Sequence, residues 1–249
     1  MTNNPFSLDT KTILITGASS GIGKATAIEC SKLGANLIIT GRDKIRLDET
    51  LYKLLPNQHL SLTTDLNQKD QIINLVNQLP QLNGVVCNAG ITIPKLFAFT
   101  SDIELHSLFN SNFFSNVYLL KELIAKKKLL KNASIVFVSS IAGNFITSPG
   151  SSIYGASKAA LTALSKGLAL ELSGKGIRVN SVSAGMIETN IMNESSISKQ
   201  DLEEDKKKYP LGRYGKSEDV SYAIIYLLSD ASSWLTGTNI LLDGGYTLK

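Results

Sequence analysis

The chain has 249 residues, 43% hydrophobic and 18% charged, so it carries enough apolar side chain for a sizeable core and is not intrinsically disordered. A net charge of +4 does not call for a nucleic-acid partner, though it suits anionic substrates. The polar start Met1-Thr2-Asn3-Asn4-Pro5 has no apolar leader and no stretch reaches bilayer-spanning length, so a soluble cytoplasmic protein with no membrane partner is expected.

In chain order, the β-branched run over 12–15 predicts a buried strand. A glycine-rich turn, Gly17-Ala18-Ser19-Ser20-Gly21-Ile22-Gly23, and a helical pattern from Lys24 follow. Strand, glycine turn and helix form a phosphate cradle. Gly17 permits the tight turn, Gly21 lets backbone approach a pyrophosphate, and Gly23 lets helix and strand pack closely. The helix N-terminus then offers free N–H groups to the anion. Ser19, Ser20 and Ile22 complete this candidate cofactor-binding loop. Three residues separate Gly17 from Gly21, a wider spacing than G-x-G-x-x-G, and a turn without a ligand is the plainer alternative. The same residues fit the G-x-S-x-G elbow of serine hydrolases. That reading is weak. The chain has two histidines, His59 and His106, both better suited to surface or packing positions, and no HGGG-type oxyanion motif.

Further strands are predicted over 36–40, 60–63, 84–87, 134–138, 178–182 and 239–242. Helices are predicted over 43–55 (stopped by Pro56), 69–79 (stopped by Pro80), 103–130, 151–173 and 217–229. Strands alternating with helical crossovers predict an α/β protein. Its form is a single doubly wound Rossmann-type domain over 1–249, with a seven-stranded parallel sheet covered on both faces and functional residues just after the strands. Cys30 lies in a helix and Cys87 at a strand end, with no C-x-x-C spacing, which reads as two free thiols in a reducing compartment. No cluster at metal-ligand spacing stands out, so no metal is expected.

The strand over 134–138 runs into Ser139-Ser140, and the next helix carries Tyr154-Gly155-Ala156-Ser157-Lys158. Tyrosine and lysine four apart share a helix face. The ammonium is expected to lower the phenol pKa, making Tyr154 a proton carrier for a carbonyl oxygen. Ser140 is placed to hydrogen-bond that oxygen. A surface Tyr/Lys pair is the bland alternative, outweighed once the glycine turn and the strand-end serine are counted.

Together these motifs resemble the short-chain dehydrogenase/reductase family over nearly the whole chain. The match includes Thr16-Gly17-x-x-x-Gly21-x-Gly23, Asn88-Ala89-Gly90, Ser140, Tyr154-x-x-x-Lys158, Pro210-Leu211-Gly212-Arg213-Tyr214-Gly215, Glu218-Asp219-Val220, Leu235-Thr236-Gly237 and Asp243-Gly244-Gly245. The resemblance implies Tyr154 as general acid in reduction. Lys158 lowers its pKa and binds the nicotinamide ribose, and Ser140, rather than Ser139, holds the carbonyl. Asn112 supports a proton-relay water. Asp65, with Leu66 beside it, contacts the adenine. Asn88, Ala89 and Gly90 line the adenosine ribose side and stabilise the sheet. Ile187 and Thr189, after Gly185, contact the carboxamide.

The strand over 36–40 is followed by Gly41-Arg42 where an NAD enzyme usually places an acid, and Arg42 can pair with a 2′-phosphate. NADP(H) is therefore expected over NAD(H), although Ser20 stands where many NADP-using relatives carry a second basic residue. Two departures from the pattern are Ala184 in place of proline before Gly185, and Ser217, where proline often opens the last helix and serine can cap it. A substrate lid is expected at about 190–210. Phe145, Ile146 and Ile153 suggest an apolar wall beside Tyr154. Lys126-Lys127-Lys128, with Lys131 and Lys175, suits a solvated helix end or a substrate borne on an acyl carrier protein. The expected reaction reduces a 3-oxoacyl thioester or other ketone. An alcohol, steroid or sugar dehydrogenase of the same family is the alternative, and a regulatory cofactor-binding module a remote one. The helices from Ile103 and Ser151 resemble the family's tetramer interface, so a homotetramer is expected.

Overall fold

A computed structural model describes residues 4–188 and 199–248. Strands β1 (Thr12–Thr16), β2 (Asn36–Gly41), β3 (Leu60–Thr63), β4 (Leu82–Cys87), β5 (Leu129–Ser140) and β6 (Arg178–Ala184) form one sheet with the last strand, β9 (Asn239–Leu242). A separate two-stranded pair joins β7 (Ile187–Glu188) to β8 (Gly215–Lys216). The helices are α1 (Gly21–Lys32), α2 (Lys44–Tyr52), α3 (Lys69–Gln78), α4 (Asp102–Phe109), α5 (Ser115–Ala125), α6 (Ser152–Leu172), α7 (Lys199–Lys206) and α8 (Ser217–Leu228). Among the described residues no helix is long and apolar enough to cross a membrane.

The sheet order is β3-β2-β1-β4-β5-β6-β9, with every neighbour parallel. This is the predicted doubly wound sheet. Alternate side chains of one strand enter opposite cores because the period of a strand is two. Ile13 and Ile15 pack with Ala27, Cys30 and Ile224 on one face. Leu14 packs with Leu75, Leu119 and Leu161 on the other. Burial on both faces explains why the strands read as unbroken apolar runs. Strand order reverses at β1, between β2 and β4, and it is outside the carboxyl ends of the strands at such a switch point that open sheets of this kind bind ligands.

The expected helix over 103–130 is not continuous. It is interrupted by a π-helical segment, Asn110–Phe114, and it ends at Ala125. Lys127 takes a left-handed conformation (φ 53°), while Lys127 N donates to Ile124 O and Lys128 N to Leu123 O. That is a Schellman stop made by a lysine, where the usual glycine signal is absent. Residues 129–130 then begin β5. Helix α2 also stops earlier than expected, at Tyr52. The chain turns so that Leu54 enters the core and Leu55 N donates to Ser31 Oγ (3.1 Å), well before Pro56.

Candidate functional site

The glycine turn is held from below by Thr16 and Asn88. Thr16 Oγ1 donates to Val86 O (3.1 Å) and accepts from Asn88 N (2.9 Å) and Ala89 N (3.0 Å). Asn88 Nδ2 donates to Thr16 O (3.0 Å) and Gly17 O (3.2 Å). Gly17 is left-handed (φ 63°), as the tight turn requires. A Cβ on Gly23 would lie 2.3 Å from Gly17 O and 2.5 Å from Asn88 Nδ2. The close approach is therefore between α1 and the turn itself. Ser20 precedes α1 in extended conformation without capping it by side chain, and no acid lies in the first helical turn. A cradle with an uncapped, positive helix end fits a pyrophosphate.

Further along the carboxyl edge of the sheet, Ser19 Oγ sits 3.3 Å from the position a Cβ on Gly41 would take, beside the β2 corner. Arg42 is exposed there, and among the described residues its guanidinium has no hydrogen-bond or ion-pair partner. Asp43, the nearest acid, is committed. It caps α2 by accepting from Arg46 N (3.0 Å) and pairs with Arg46 Nε (3.0 Å). Asp65 accepts from Asn67 N through Oδ1 (3.0 Å), and the Leu66 side chain is buried in the core. Gly185 N donates to Leu242 O (2.8 Å), and Ile187 is buried in β7. Thr189 and residues 190–198 of the expected lid lie outside the described residues. After them, α7 is fastened by Tyr214 Oη donating to Asp205 Oδ2 (2.7 Å), with the Tyr209 ring edge-on to Tyr214.

The catalytic candidates converge between β5 and α6. Ser140 Oγ accepts from Ala142 N (3.1 Å), and the Ser140 hydroxyl stands near enough to the Tyr154 phenol to pull its pKa down. Ser139 faces inward and is spent on structure, donating to Lys158 O (2.8 Å). Lys158 is 5% exposed; Nζ donates to Val138 O (3.0 Å) and lies 6.0 Å from the Tyr154 ring centroid. A Cβ on Gly90 would lie 2.9 Å from Asn112 Oδ1 and 3.2 Å from Lys158 Nζ, so the β4 turn meets both groups. Asn112 sits in the π-helical segment, a form frequent at functional sites. Its side chain is fully engaged: Oδ1 accepts from Ile91 N (2.7 Å), and Nδ2 donates to Ile91 O and Ser157 Oγ (3.0 Å each).

The expected acidification of Tyr154 is not what this arrangement produces. Burial raises the phenol pKa above its ordinary value and the nearby Ser140 hydroxyl offsets that only in part. Lys158 is itself pushed down to about 8 by burial, and its Nζ is turned to a backbone carbonyl. Desolvation outweighs attraction here. Cys30 and Cys87 are free and buried; burial raises both thiols, Cys87 to about 12. His59 is structural, accepting from Leu37 N at Nδ1 (3.1 Å) with Nε2 on Leu55 O. Among the described residues no group of three or more His, Cys, Asp or Glu could hold a metal.

A family model described as Enoyl-(Acyl carrier protein) reductase matches residues 17–247. A 3-oxoacyl-(acyl-carrier-protein) reductase FabG of Rickettsia felis is 37% identical over 94% of this chain and 96% of its own. The Thermotoga maritima protein of the same name is 36% identical over 97% and 99%. A solved structure from Brucella melitensis, titled short-chain dehydrogenase/reductase SDR:Glucose/ribitol dehydrogenase, superposes with TM-score 0.90 at 32% identity, covering 98% of this chain and 99% of that one. The chain belongs to the short-chain dehydrogenase/reductase family. It is an NAD(P)-dependent oxidoreductase acting between C=O and CH–OH.

Within this short-chain dehydrogenase/reductase, several residues escaped sequence reasoning. Thr16 stands in the glycine motif and Ser139 beside Ser140, but neither position points by itself to the structural role seen here, as the support of the Asn88 turn and as a hub on Lys158 O. Gly143 (φ 80°) and Gly155 form a contact in which a Cβ on Gly143 would fall 2.2 Å from Gly155 O. Only the fold makes them neighbours. The expected Ser217 cap does not form. Lys216 occupies the cap position and Asp219 Oδ2 accepts from Lys216 N (2.7 Å), with Arg213 Nη1 on the same oxygen (2.6 Å).

Proposed function

We propose that the protein reduces the carbonyl of a 3-oxoacyl thioester to an alcohol, using NADP(H). The observation carrying this reading is the convergence of the Ser140 and Tyr154 hydroxyls beside buried Lys158, at the sheet edge that also carries the glycine cradle. When bound, the nicotinamide supplies the hydride. Ser140 holds and polarises the carbonyl oxygen, and Tyr154 delivers a proton to it. A phenol whose pKa is raised keeps its proton at neutral pH, which suits an acid in the reductive direction. Lys158, with its pKa at about 8, is still mostly protonated at pH 7 and favours the developing negative charge on the Tyr154 oxygen. Gly17 to Gly23 receive the pyrophosphate, with Asn88, Ala89 and Gly90 behind them.

NADP(H) is supported by Arg42, which has no partner among the described residues, and by Asp43, which is occupied by α2. Arg42→Ala is expected to lower kcat/KM for NADPH about tenfold with little change for NADH, since a charge-assisted phosphate contact is worth ~1.5 kcal/mol. Equal losses with both cofactors would remove this role.

Phe145, Ile146 and Ile153 lie in or beside the loop joining Ser140 to Tyr154 and suit an acyl chain. The names of the Rickettsia and Thermotoga relatives support a carrier-borne substrate. Lys127, Lys131 and Lys175 line a groove with Leu129 and Ile177 at the amino edge of the sheet. On one chain that groove, at the start of β5, lies at the opposite end of the strand from Ser140. Exposed Phe97, Phe99 and Ile103 beside α4 favour the homotetramer expected for this chain; a monomeric mass by sedimentation would oppose it. The family model's description raises enoyl reduction as a second reading. The expected result is NADPH-dependent turnover of acetoacetyl thioesters and none of crotonyl thioesters. Turnover of the crotonyl arm, or only of simple ketones and sugars, would replace the substrate assignment.

A further inference from the structure

The loop that follows Ser140 is tied to the catalytic helix through one buried hydroxyl. Ser139 Oγ, on a residue 4% exposed, donates to Lys158 O (2.8 Å) and accepts from Thr162 Oγ1 (3.1 Å) and Asn144 Nδ2 (3.1 Å). One donor and two acceptor sites are all that a hydroxyl has, so the hub is saturated. Asn144 Nδ2 also donates to Ser140 O (2.8 Å). Asn144 thus bonds the backbone of the catalytic serine with one side-chain group and the hub with the same group. Gly143 packs on Gly155, the neighbour of Tyr154, at backbone distance, which keeps the loop and helix in one register.

We propose that Asn144, acting through Ser139, is a positioning residue that sets where Ser140 Oγ stands relative to the Tyr154 hydroxyl and the substrate carbonyl. It touches no reacting atom. The proposal rests on the carbonyl-reductase reading above. A hydroxyl pair serving one oxygen must be held to a fraction of an ångström, and misplacement by about 1 Å can cost ~100-fold. Ser140 has a single side-chain torsion, so pinning its carbonyl and the following turn fixes the direction of its Oγ.

The test uses Asn144→Ala and Asn144→Asp in the full chain, with Tyr154→Phe alongside. Asn144→Asp keeps the size but removes the donating N–H groups, and it carries the test should the alanine variant fail to fold. Expected is a fall in kcat of roughly ten- to a hundredfold, with NADPH affinity by fluorescence titration unchanged. The midpoint of the pH–rate profile for alcohol oxidation is expected to move upward, because the Ser140 hydroxyl, whose nearness lowers the Tyr154 pKa, is held less firmly. A folded variant with parental kcat and an unmoved profile would overturn the proposal. If Tyr154→Phe also kept its turnover, the carbonyl-reductase reading itself would fall; if only the Asn144 variants kept it, the positioning role alone would.

Discussion

Replacing Tyr154 with phenylalanine is expected to lower kcat by ~10²–10⁴-fold, the usual contribution of a positioned general acid, while NADPH binding persists. The two effects separate because they rest on different parts of the fold. The cofactor cradle is built by β1, α1 and the Asn88 turn, none of which uses the phenol oxygen. The phenol stands beside Ser140, whose Oγ accepts from Ala142 N (3.1 Å) whether or not the phenol oxygen is present. The loss leaves that backbone bond to Ser140 in place, and the melting temperature should move little. Steady-state kinetics with an acetoacetyl thioester, beside fluorescence titration of NADPH, read out both. Turnover within a few-fold of the parent would remove Tyr154 from the mechanism.

Lys158→Met is expected to abolish most turnover and to make the protein relatively more stable at neutral pH. An amine pushed from 10.5 to about 8 by burial binds fewer protons in the folded state than in the unfolded one. Its burden on stability is fully present below about pH 8 and lifts as the pH rises towards 10.5. The displacement corresponds to ~3 kcal/mol at 1.36 kcal/mol per pKa unit. Loss of the bond to Val138 O (3.0 Å) adds a cost that does not vary with pH. The stability of the variant minus that of the parent should thus fall by ~3 kcal/mol between pH 7 and pH 10.5 in urea melts. An unchanged difference would mean that Lys158 is not desolvated. Such a residue lowers stability where it is needed for chemistry, as buried functional charges often do.

The strand and helix pattern and the parallel sheet were legible in the chain alone. A strand buried on both faces writes itself as a continuous apolar run, and glycine and proline mark most of its ends. The glycine turn, Ser140, Tyr154 and Lys158 could be picked out as candidates from short local motifs, and Asn88 from the family resemblance. The stop at Lys127 was not, because a lysine adopted the left-handed conformation that glycine usually advertises. Neither was the π-helical turn at Asn112.

Local spacing therefore determined which residues stand out as candidates for the site, and tertiary packing decided what state they are in. Four residues along a helix place Tyr154 and Lys158 side by side. Whether the phenol is made more or less acidic depends on how much water reaches both groups. That is set by β5, the Gly90 turn and the Ser139 hub, from segments tens of residues apart. Desolvation is a property of the assembled interior, so no short stretch of sequence can state it.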